Sequence, residues 1–263
     1  MIHKAGFVNI IGNPNVGKST LMNALIGEKL SIITPKAQTT RHRIMGIVSE
    51  DDYQIVFSDT PGILEPHYKL HESMMKFVES AFQDADIFLL VTEVTENFEN
   101  TNVIEKLGKC NIPVMVLVNK IDLSDQPTVE AKMTEWKQKL PKAEIIPLSA
   151  LKKFNLEKIL SVITSQLPEN PPYFSKEELT DKPEKFFVAE IIREKIFLFY
   201  QQEIPYSTEV LIESYKDEAS IIKIRAIIYV ARDSQKGIII GNKGAALKKL
   251  GTDARKDIEI FVK

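Results

Sequence analysis

At 263 residues, with 44% apolar and 27% charged side chains, the chain has the makeup of a folded protein of one large or two medium domains. Its single cysteine, Cys110 in GKCNIPVM, excludes a disulfide framework and a cysteine-rich metal site, and reads as a packing residue. No run reaches the roughly 20 apolar residues of a membrane span, and MIHKAGFVNIIGN lacks the layout of a signal peptide, so a soluble cytoplasmic protein is expected, with peripheral membrane contact left open. The formal net charge of −2 hides an asymmetry: residues 223–256 carry nine Lys or Arg against Asp233 and Asp253, which points to an anionic partner.

From the N-terminus, GFVNIIG, YQIVFSD, DIFLLVT, PVMVLVN and EIIPLSA read as strands. The middle ones are apolar almost throughout, as parallel strands covered on both faces are. Amphipathic stretches such as KSTLMNALIG, ESMMKFVESAFQ and LEKILSVITSQL fall between them. Such alternation predicts an α/β domain over residues 1–167 with a mostly parallel sheet, and ligands beyond the strands' carboxyl ends. PENPPYFSKEELTDKPEK, with Pro168, Pro171, Pro172 and Pro183, is expected to be an interdomain linker over 168–183. The remainder, 184–263, predicts helix–strand–strand–helix–helix, a smaller α+β module in which Leu247, Leu250, Ala254, Ile258 and Phe261 form one helical stripe.

The chemistry is concentrated at strand ends. GNPNVGKST, from Gly12 through Asn13, Pro14, Asn15, Val16, Gly17, Lys18 and Ser19 to Thr20, follows a strand and opens a helix, the context that a phosphate-cradling loop requires. Its glycines let backbone N–H groups wrap a phosphate at a helix N-terminus. Lys18 should reach the β- and γ-phosphates and Ser19 should ligate Mg²⁺. DTPG (Asp59, Thr60, Pro61, Gly62) offers a carboxylate to the metal and a glycine that approaches the γ-phosphate and swings when it leaves. In NKID, Asn119 and Lys120 precede Asp122, whose two acceptor oxygens match the N1 and N2 hydrogens of guanine, a donor pair that adenine lacks. In SAL (Ser149, Ala150, Leu151) the Ala150 N–H is placed to meet guanine O6. Each tetrapeptide alone could be a strand-end turn; four in this order predict a guanine nucleotide.

With QTTRHR added to these motifs, the chain resembles a translation-factor-type P-loop GTPase of the Era family, and GIIIGNKGAALKKLGTDARKDIE is similar to that family's type II KH domain. The resemblance implies GTP hydrolysis to GDP and phosphate with slow intrinsic turnover, Mg²⁺ as cofactor, and a monomer. It also implies binding to small-subunit (16S) ribosomal RNA near its 3′ end and a role in 30S assembly, with peripheral association at the inner face of the cell membrane in some members. Lys18, Thr40 and Gly62 are the residues expected to act on the reacting phosphate, with Ser19, Thr40 and Asp59 on the metal. Thr39 is the reserve for Thr40 in the first switch segment, SIITPKAQTTRHRIMG. Ile63 stands where Ras-like enzymes place a water-orienting glutamine, a replacement the family shares. Asn15 has two readings: a potassium ligand beside the phosphates, as in related GTPases, or a residue that only shapes the loop. Arg41 or Arg43 is a weaker candidate for an internal charge donor. His67 and His71 lack the Glu of a metalloprotease motif and are not expected to bind metal.

IIGNKG, in contrast, lacks the Lys-Ser/Thr ending of a nucleotide loop. It fits the G-x-x-G loop of KH modules, which clamps a short stretch of nucleic-acid backbone. Ile240, Gly241, Asn242, Lys243, Gly244, Lys248 and Lys249 are the expected RNA contacts, with Arg255 and Lys256 adding charge and Ile239 lining the base groove beside Ile240. A helix-first KH module calls for a third strand after its last helix, and that strand is expected to be missing from the sequence, which stops at DIEIFVK. Two rivals stand beside this reading: a membrane-associated signalling GTPase whose basic tail binds acidic lipid, and an assembly protein that senses GTP without hydrolysing it.

Overall fold

The computed structural model describes residues 3–262 and resolves them into two compact units, 3–31 with 40–181, and 32–39 with 182–262. In the first, strands β1 (Lys4–Ile11), β2 (Ile44–Ser49), β3 (Tyr53–Asp59), β4 (Ile87–Glu93), β5 (Val114–Asn119) and β6 (Glu144–Pro147) form one sheet in the order β2-β3-β1-β4-β5-β6. All pairs are parallel except β2 with β3. Successive residues such as Ile10 and Ile11 are both fully buried, so both faces are covered, as the unbroken apolar runs require. Helix α1 (Lys18–Ile26) joins β1 to β2, helices α2 (Lys69–Gln83), α3 (Thr101–Lys109) and α4 (Gln126–Lys139) supply the crossovers between parallel strands, and α5 (Leu156–Gln166) follows β6. Asn100 and Asp125 cap α3 and α4 by accepting from Val103 N and Thr128 N. On one face Val78, Val103, Leu107, Trp136 and Leu140 from α2, α3 and the α4 end pack on Phe88, Leu90, Val116 and Val118.

The stretch expected to be a linker is bound to this unit through Asp181. Ala5 N donates to Pro168 O at 3.1 Å, and Gln54 Oε1 accepts from Tyr173 N and Phe174 N at 2.8 and 3.0 Å. Ile47 N donates to Leu179 O at 2.9 Å, and Met45 N to Asp181 Oδ1 at 3.0 Å. Its prolines suit this place, because an edge strap needs few donors of its own.

A buried cluster ties β1, β2, β3 and α2 together. Arg43, 8% exposed, donates Nε to Ser58 Oγ at 2.6 Å, Nη1 to Asp84 Oδ2 at 2.6 Å and Ser80 Oγ at 3.5 Å, and Nη2 to Asp84 Oδ1 at 2.9 Å and Asn9 Oδ1 at 3.1 Å. All five guanidinium hydrogens are engaged, so Arg43 is not a charge donor for a phosphate.

The second unit follows the expected order: α6 (Glu184–Phe199), a 3-10 turn at Pro205–Ser207, the antiparallel strands β7 (Thr208–Glu218) and β8 (Ile221–Val230), then α7 (Asp233–Ile240) and α8 (Ala245–Phe261). Among the described residues its sheet has these two strands. Val188, Ile192, Ile196 and Tyr200, at helical spacing, pack with Val210, Ile239, Leu250 and Ala254. Ile239 is therefore a core residue and does not line a groove; Leu247, expected in the buried stripe, is 38% exposed.

Arg43→Ala would leave Ser58 and Asn9 short of a buried partner, while half-exposed Asp84 regains water. The expected cost is about 2 kcal/mol of unfolding free energy. It should appear as a lower urea midpoint at unchanged slope; a midpoint equal to wild type would show that the cluster adds nothing to stability.

Candidate functional site

The loop between β1 and α1 is shaped by two close approaches. A Cβ on Gly12 (φ +149) would sit 2.2 Å from Val91 O, and one on Gly17 (φ +97) 2.3 Å from Asn119 Nδ2. Only glycine fits either place. Gly17 also starts α1 without a side-chain cap, so the helix's first N–H groups serve the loop. Lys18, 6% exposed, bends back across the loop and donates Nζ to Gly12 O at 3.0 Å and Asn13 O at 2.8 Å.

Three side chains predicted around the metal converge. Ser19 Oγ donates to Asp59 Oδ2 at 2.6 Å and lies 2.9 Å from Thr40 Oγ1. Asp59 is fully buried, and its other oxygen, Oδ1, has no hydrogen-bond partner. Burial raises its pKa, against the opposing effects of the Ser19 hydroxyl and the Lys18 ammonium. A buried carboxylate oxygen with an unmet acceptor, beside two hydroxyls, fits a hard, oxygen-seeking cation such as Mg²⁺. Thr39 points its hydroxyl elsewhere, to Thr34 Oγ1 at 2.6 Å and Lys36 O at 2.7 Å, which favours Thr40 over the reserve.

The residues after Asp59 lie on the phosphate loop. Thr60 Oγ1 donates to Ile10 O at 2.8 Å, Ile63 N to Gly12 O at 3.0 Å, and a Cβ on Gly62 would meet Pro14 N at 2.7 Å. Ile63, 7% exposed, belongs to the hydrophobic core of this face, so the position that Ras-like enzymes give to glutamine here holds a packing residue.

The base end is a cavity of about 250 Å³ lined by Gly17, Thr20, Asn119, Lys120, Asp122 and the loop Ser149–Leu151, with exposed Leu123 and Leu151 at its sides. Lys120 takes a left-handed conformation (φ 63) that turns the chain into the short 3-10 helix carrying Asp122. Asn119 Nδ2 donates to Val16 O at 2.8 Å, and its Oδ1 accepts from Ala150 N at 3.0 Å. The Ala150 amide, expected to face guanine O6, is thus engaged by a buried side-chain oxygen that needs a donor. Glu93 and Glu96, which no motif flagged, also reach the site: Glu93 pairs with Lys120, and Glu96 Oε1 accepts from Asn13 Nδ2 at 2.6 Å.

In the second unit the G-x-x-G loop joins α7 to α8. Gly241 (φ 69, ψ −178), Lys243 (φ 48) and Gly244 (φ 79) all have positive φ. A Cβ on Gly241 would come 2.6 Å from Ala246 Cβ, whereas one on Gly244 would meet nothing within 4 Å, so close approach from outside is open at the second glycine. Lys243 and Lys248 are exposed, and Lys249 Nζ lies 5.0 Å over the Phe199 ring. Arg255 and Lys256 pair with Glu259 and Asp253 on their own helix, and Lys223 and Arg225 with Glu218 and Glu213, which dilutes the basic block read from the sequence. His67 and His71 lie side by side, with His67 N donating to His71 Nδ1 at 3.3 Å. His71 also stacks on Tyr68, with ring centroids 3.8 Å apart.

A parallel sheet with a glycine phosphate loop, a buried carboxylate facing it and a carboxylate-bearing base loop, joined to a G-x-x-G helical module, defines a P-loop GTPase carrying a KH domain. Residues 7–120 match the family described as 50S ribosome-binding GTPase, and residues 203–263 match the KH domain family. The chain is 45% identical to GTPase Era of Clostridium kluyveri over 98% of its own length and 89% of the relative's. A crystal structure of Era in complex with MgGDPNP and nucleotides 1506–1542 of 16S ribosomal RNA superposes with a TM-score of 0.93 at 39% identity, covering 98% of this chain and 89% of the other. A substituted form of Aquifex aeolicus Era bound to GDP and AlF4⁻ gives 0.91 at 39% identity, covering 98% and 90%. The chain belongs to the Era family of GTPases.

Burial lowers the Lys18 pKa from 10.5 to about 8, with the Asp59 and Glu96 carboxylates opposing the shift. Between those values the unfolded chain keeps a proton that the folded, nucleotide-free protein has released, so stability rises with pH from about 8 to about 10.5. Lys18→Met removes this component. The difference in unfolding free energy, wild type minus mutant, should therefore grow across that window, and a flat difference would refute the buried-lysine account.

Proposed function

We propose that this GTPase is a switch that binds small-subunit (16S) ribosomal RNA through its KH module and serves assembly of the 30S subunit. The support for the RNA is the relative solved with 16S nucleotides, together with the G-x-x-G loop whose second glycine is open to a backbone. The observation that carries the switch is the place of residues 32–39, which pack with the second unit although they lie inside the first unit's sequence. Arg193 Nη2 donates to Thr39 O at 2.6 Å, Lys36 Nζ to Phe197 O at 2.6 Å and to Tyr200 O, and Ile33 N to Glu194 Oε1 at 3.2 Å. The next residue along, Thr40, has its hydroxyl 2.9 Å from Ser19. One peptide bond thus separates a segment held by α6 from a group that senses the metal and γ-phosphate.

In hydrolysis a water attacks the γ-phosphorus, the bond to the β-phosphate oxygen breaks, and GDP and phosphate leave. Lys18 and the amides of the phosphate loop stabilise charge on the β- and γ-phosphate oxygens as that bond loosens. Ser19, Asp59 and Thr40 hold Mg²⁺, which neutralises phosphate charge when bound. Asp122 accepts from the guanine N1 and N2 hydrogens and sets base specificity. No side chain at position 63 orients water, so turnover is slow and positioning falls to backbone groups and to Gly62. Asn15, with φ 65 in the loop, is our candidate for a potassium ligand there. Exchanging potassium for sodium at constant ionic strength should then slow phosphate release several-fold, and equal rates would leave Asn15 with only its conformational role.

No helix among the described residues is long and apolar enough to cross a membrane. The acidic-lipid reading of the tail gains no support, since four of its basic side chains pair with carboxylates of the same module. Sustained phosphate release by purified protein would remove the non-hydrolysing alternative.

The RNA loop is best tested at Gly244. Asp tolerates left-handed φ, and the space beside Gly244 is open, so Gly244→Asp keeps the fold while placing a carboxylate where phosphates approach. Gly241→Asp is a poorer probe, because it collides with Ala246. We expect Gly244→Asp to weaken binding of a 16S 3′-end RNA about tenfold or more, with GDP affinity unchanged. Lys248→Ala should weaken it mildly and flatten its salt dependence by about one unit of slope at most. RNA affinity unaffected by the aspartate would defeat the assignment of the G-x-x-G loop to RNA.

A further inference from the structure

The stretch EVTENFEN after β4 carries no motif, yet two of its carboxylates reach both halves of the nucleotide site. Glu96 Oε1 accepts from Asn13 Nδ2 at 2.6 Å, and Oε2 accepts from Thr92 Oγ1 at 2.7 Å and from Glu93 N at 3.3 Å. Asn13 is the second residue of the phosphate loop, and its carbonyl receives Lys18 Nζ at 2.8 Å. Glu93, three residues before Glu96, faces Asn119 in the β4–β5 register and pairs with Lys120, the left-handed residue of the base loop. We propose that the turn Glu93–Glu96 is a two-carboxylate brace for guanine-nucleotide binding, in which Glu96 positions the phosphate loop through Asn13 and Glu93 positions the base loop through Lys120.

The sign of the electrostatics makes this testable. A carboxylate beside a polyphosphate site opposes binding by charge alone, whatever the screening. A benefit from Glu96 must therefore come through what it holds, or through the Lys18 charge that it supports, and Glu96→Gln, which keeps the acceptor and drops the charge, separates the two. Asn13 cannot keep its side chain fixed without an acceptor, and its backbone oxygen is one of the two that aim Lys18. A charge-assisted hydrogen bond of this kind is the stronger sort. Each glutamate closes on a different strand-end loop, Glu93 from the end of β4 and Glu96 from the turn that follows.

The inference rests on the guanine-nucleotide site described above, and the test separates the two. Full-length wild-type protein is loaded with a fluorescent N-methylanthraniloyl GDP, and dissociation is followed after adding excess unlabelled GDP, alongside urea unfolding of each nucleotide-free variant. Failure of wild type to bind the probe would refute the site itself. With binding established, Glu96→Ala should speed dissociation about tenfold. Glu96→Gln, which keeps an oxygen acceptor for Asn13 and drops the charge, should restore the rate to within about threefold of wild type. Asn13→Ala should match Glu96→Ala, and the double variant should be no worse than either single one, whereas Glu93→Ala should multiply with Glu96→Ala because it frees a different loop. Dissociation no faster than wild type in both Glu96→Ala and Glu96→Gln would overturn the brace and leave a carboxylate that only repels phosphate. A lowered unfolding midpoint with an unchanged dissociation rate would also overturn it, in favour of a purely structural turn.

Discussion

The nucleotide site depends on one buried side chain. Asn119, 2% exposed at the end of β5, donates to Val16 O in the phosphate loop and accepts from Ala150 N in the loop after β6. Three loops on three different strands are thereby held by one amide group, with both its oxygen and its nitrogen used. The same contact explains a glycine: Gly17 has no Cβ because the Asn119 amide occupies that place. The phosphate loop's shape, the start of α1 and the wall of the base cavity are consequences of packing around this group. Truncating such a side chain leaves two buried backbone groups unsatisfied, which costs more than the hydrogen bonds contribute on balance.

Much of this was legible from sequence because phosphate, metal and base chemistry restrict which residues can stand at strand ends. Gly12, Lys18, Ser19, Asp59, Asn119 and Asp122 are each demanded by type as well as by place. What escaped notice was held together by contacts without periodicity. The strap from Pro168 to Asp181 reads as a proline-rich linker, since its attachment is a few isolated backbone bonds and one glutamine, Gln54. Residues 32–39 read as an ordinary switch loop, since their partners on α6 lie more than 150 residues further along the chain. A signal for the latter did exist. In FFVAEIIREKIFLF the charges of Glu190, Arg193, Glu194 and Lys195 interrupt a helix that is otherwise apolar, and the first three are buried. Charged side chains in such a helix must find partners. Here they are Thr39 O, Ile33 N and one another.

The site also shows how far a GTPase can go on backbone and metal ligands. Arg43 is consumed by Asp84, Asn9, Ser58 and Ser80, and Ile63 is consumed by the core. Neither the usual water-orienting amide nor this arginine is available to the phosphate. Stabilising charge can come from Lys18, loop N–H groups and the cation that Ser19, Asp59 and Thr40 would hold. Lys18 is itself weakened by burial, which lowers its pKa to about 8, and its charge is supported by Asp59 and Glu96. The lifetime of the triphosphate state would then be set by how well these few groups are aligned.

Alignment, in turn, is shared with the second unit through residues 32–39. Their attachment to α6 combines helix-end carbonyls, which attract Lys36 at the end where the helix dipole is negative, with the ion pair of Arg193 and Glu190 that aims a guanidinium at Thr39 O. Each bond involves a charged group, so each is strong only while its geometry is kept. In the proposed switch, moving Thr40 toward or away from the metal would stretch the chain at Thr39, where Arg193 grips it. Two states that differ in the position of Thr40 therefore differ in how α6 is loaded, and α6 is the helix on whose Val188, Ile192, Ile196 and Tyr200 the core of the RNA-binding module is built. A ligand can shift this balance only by favouring one state over the other. In the proposed switch the triphosphate would do so through Thr40, and an RNA would do so by preferring one setting of the helices packed on α6.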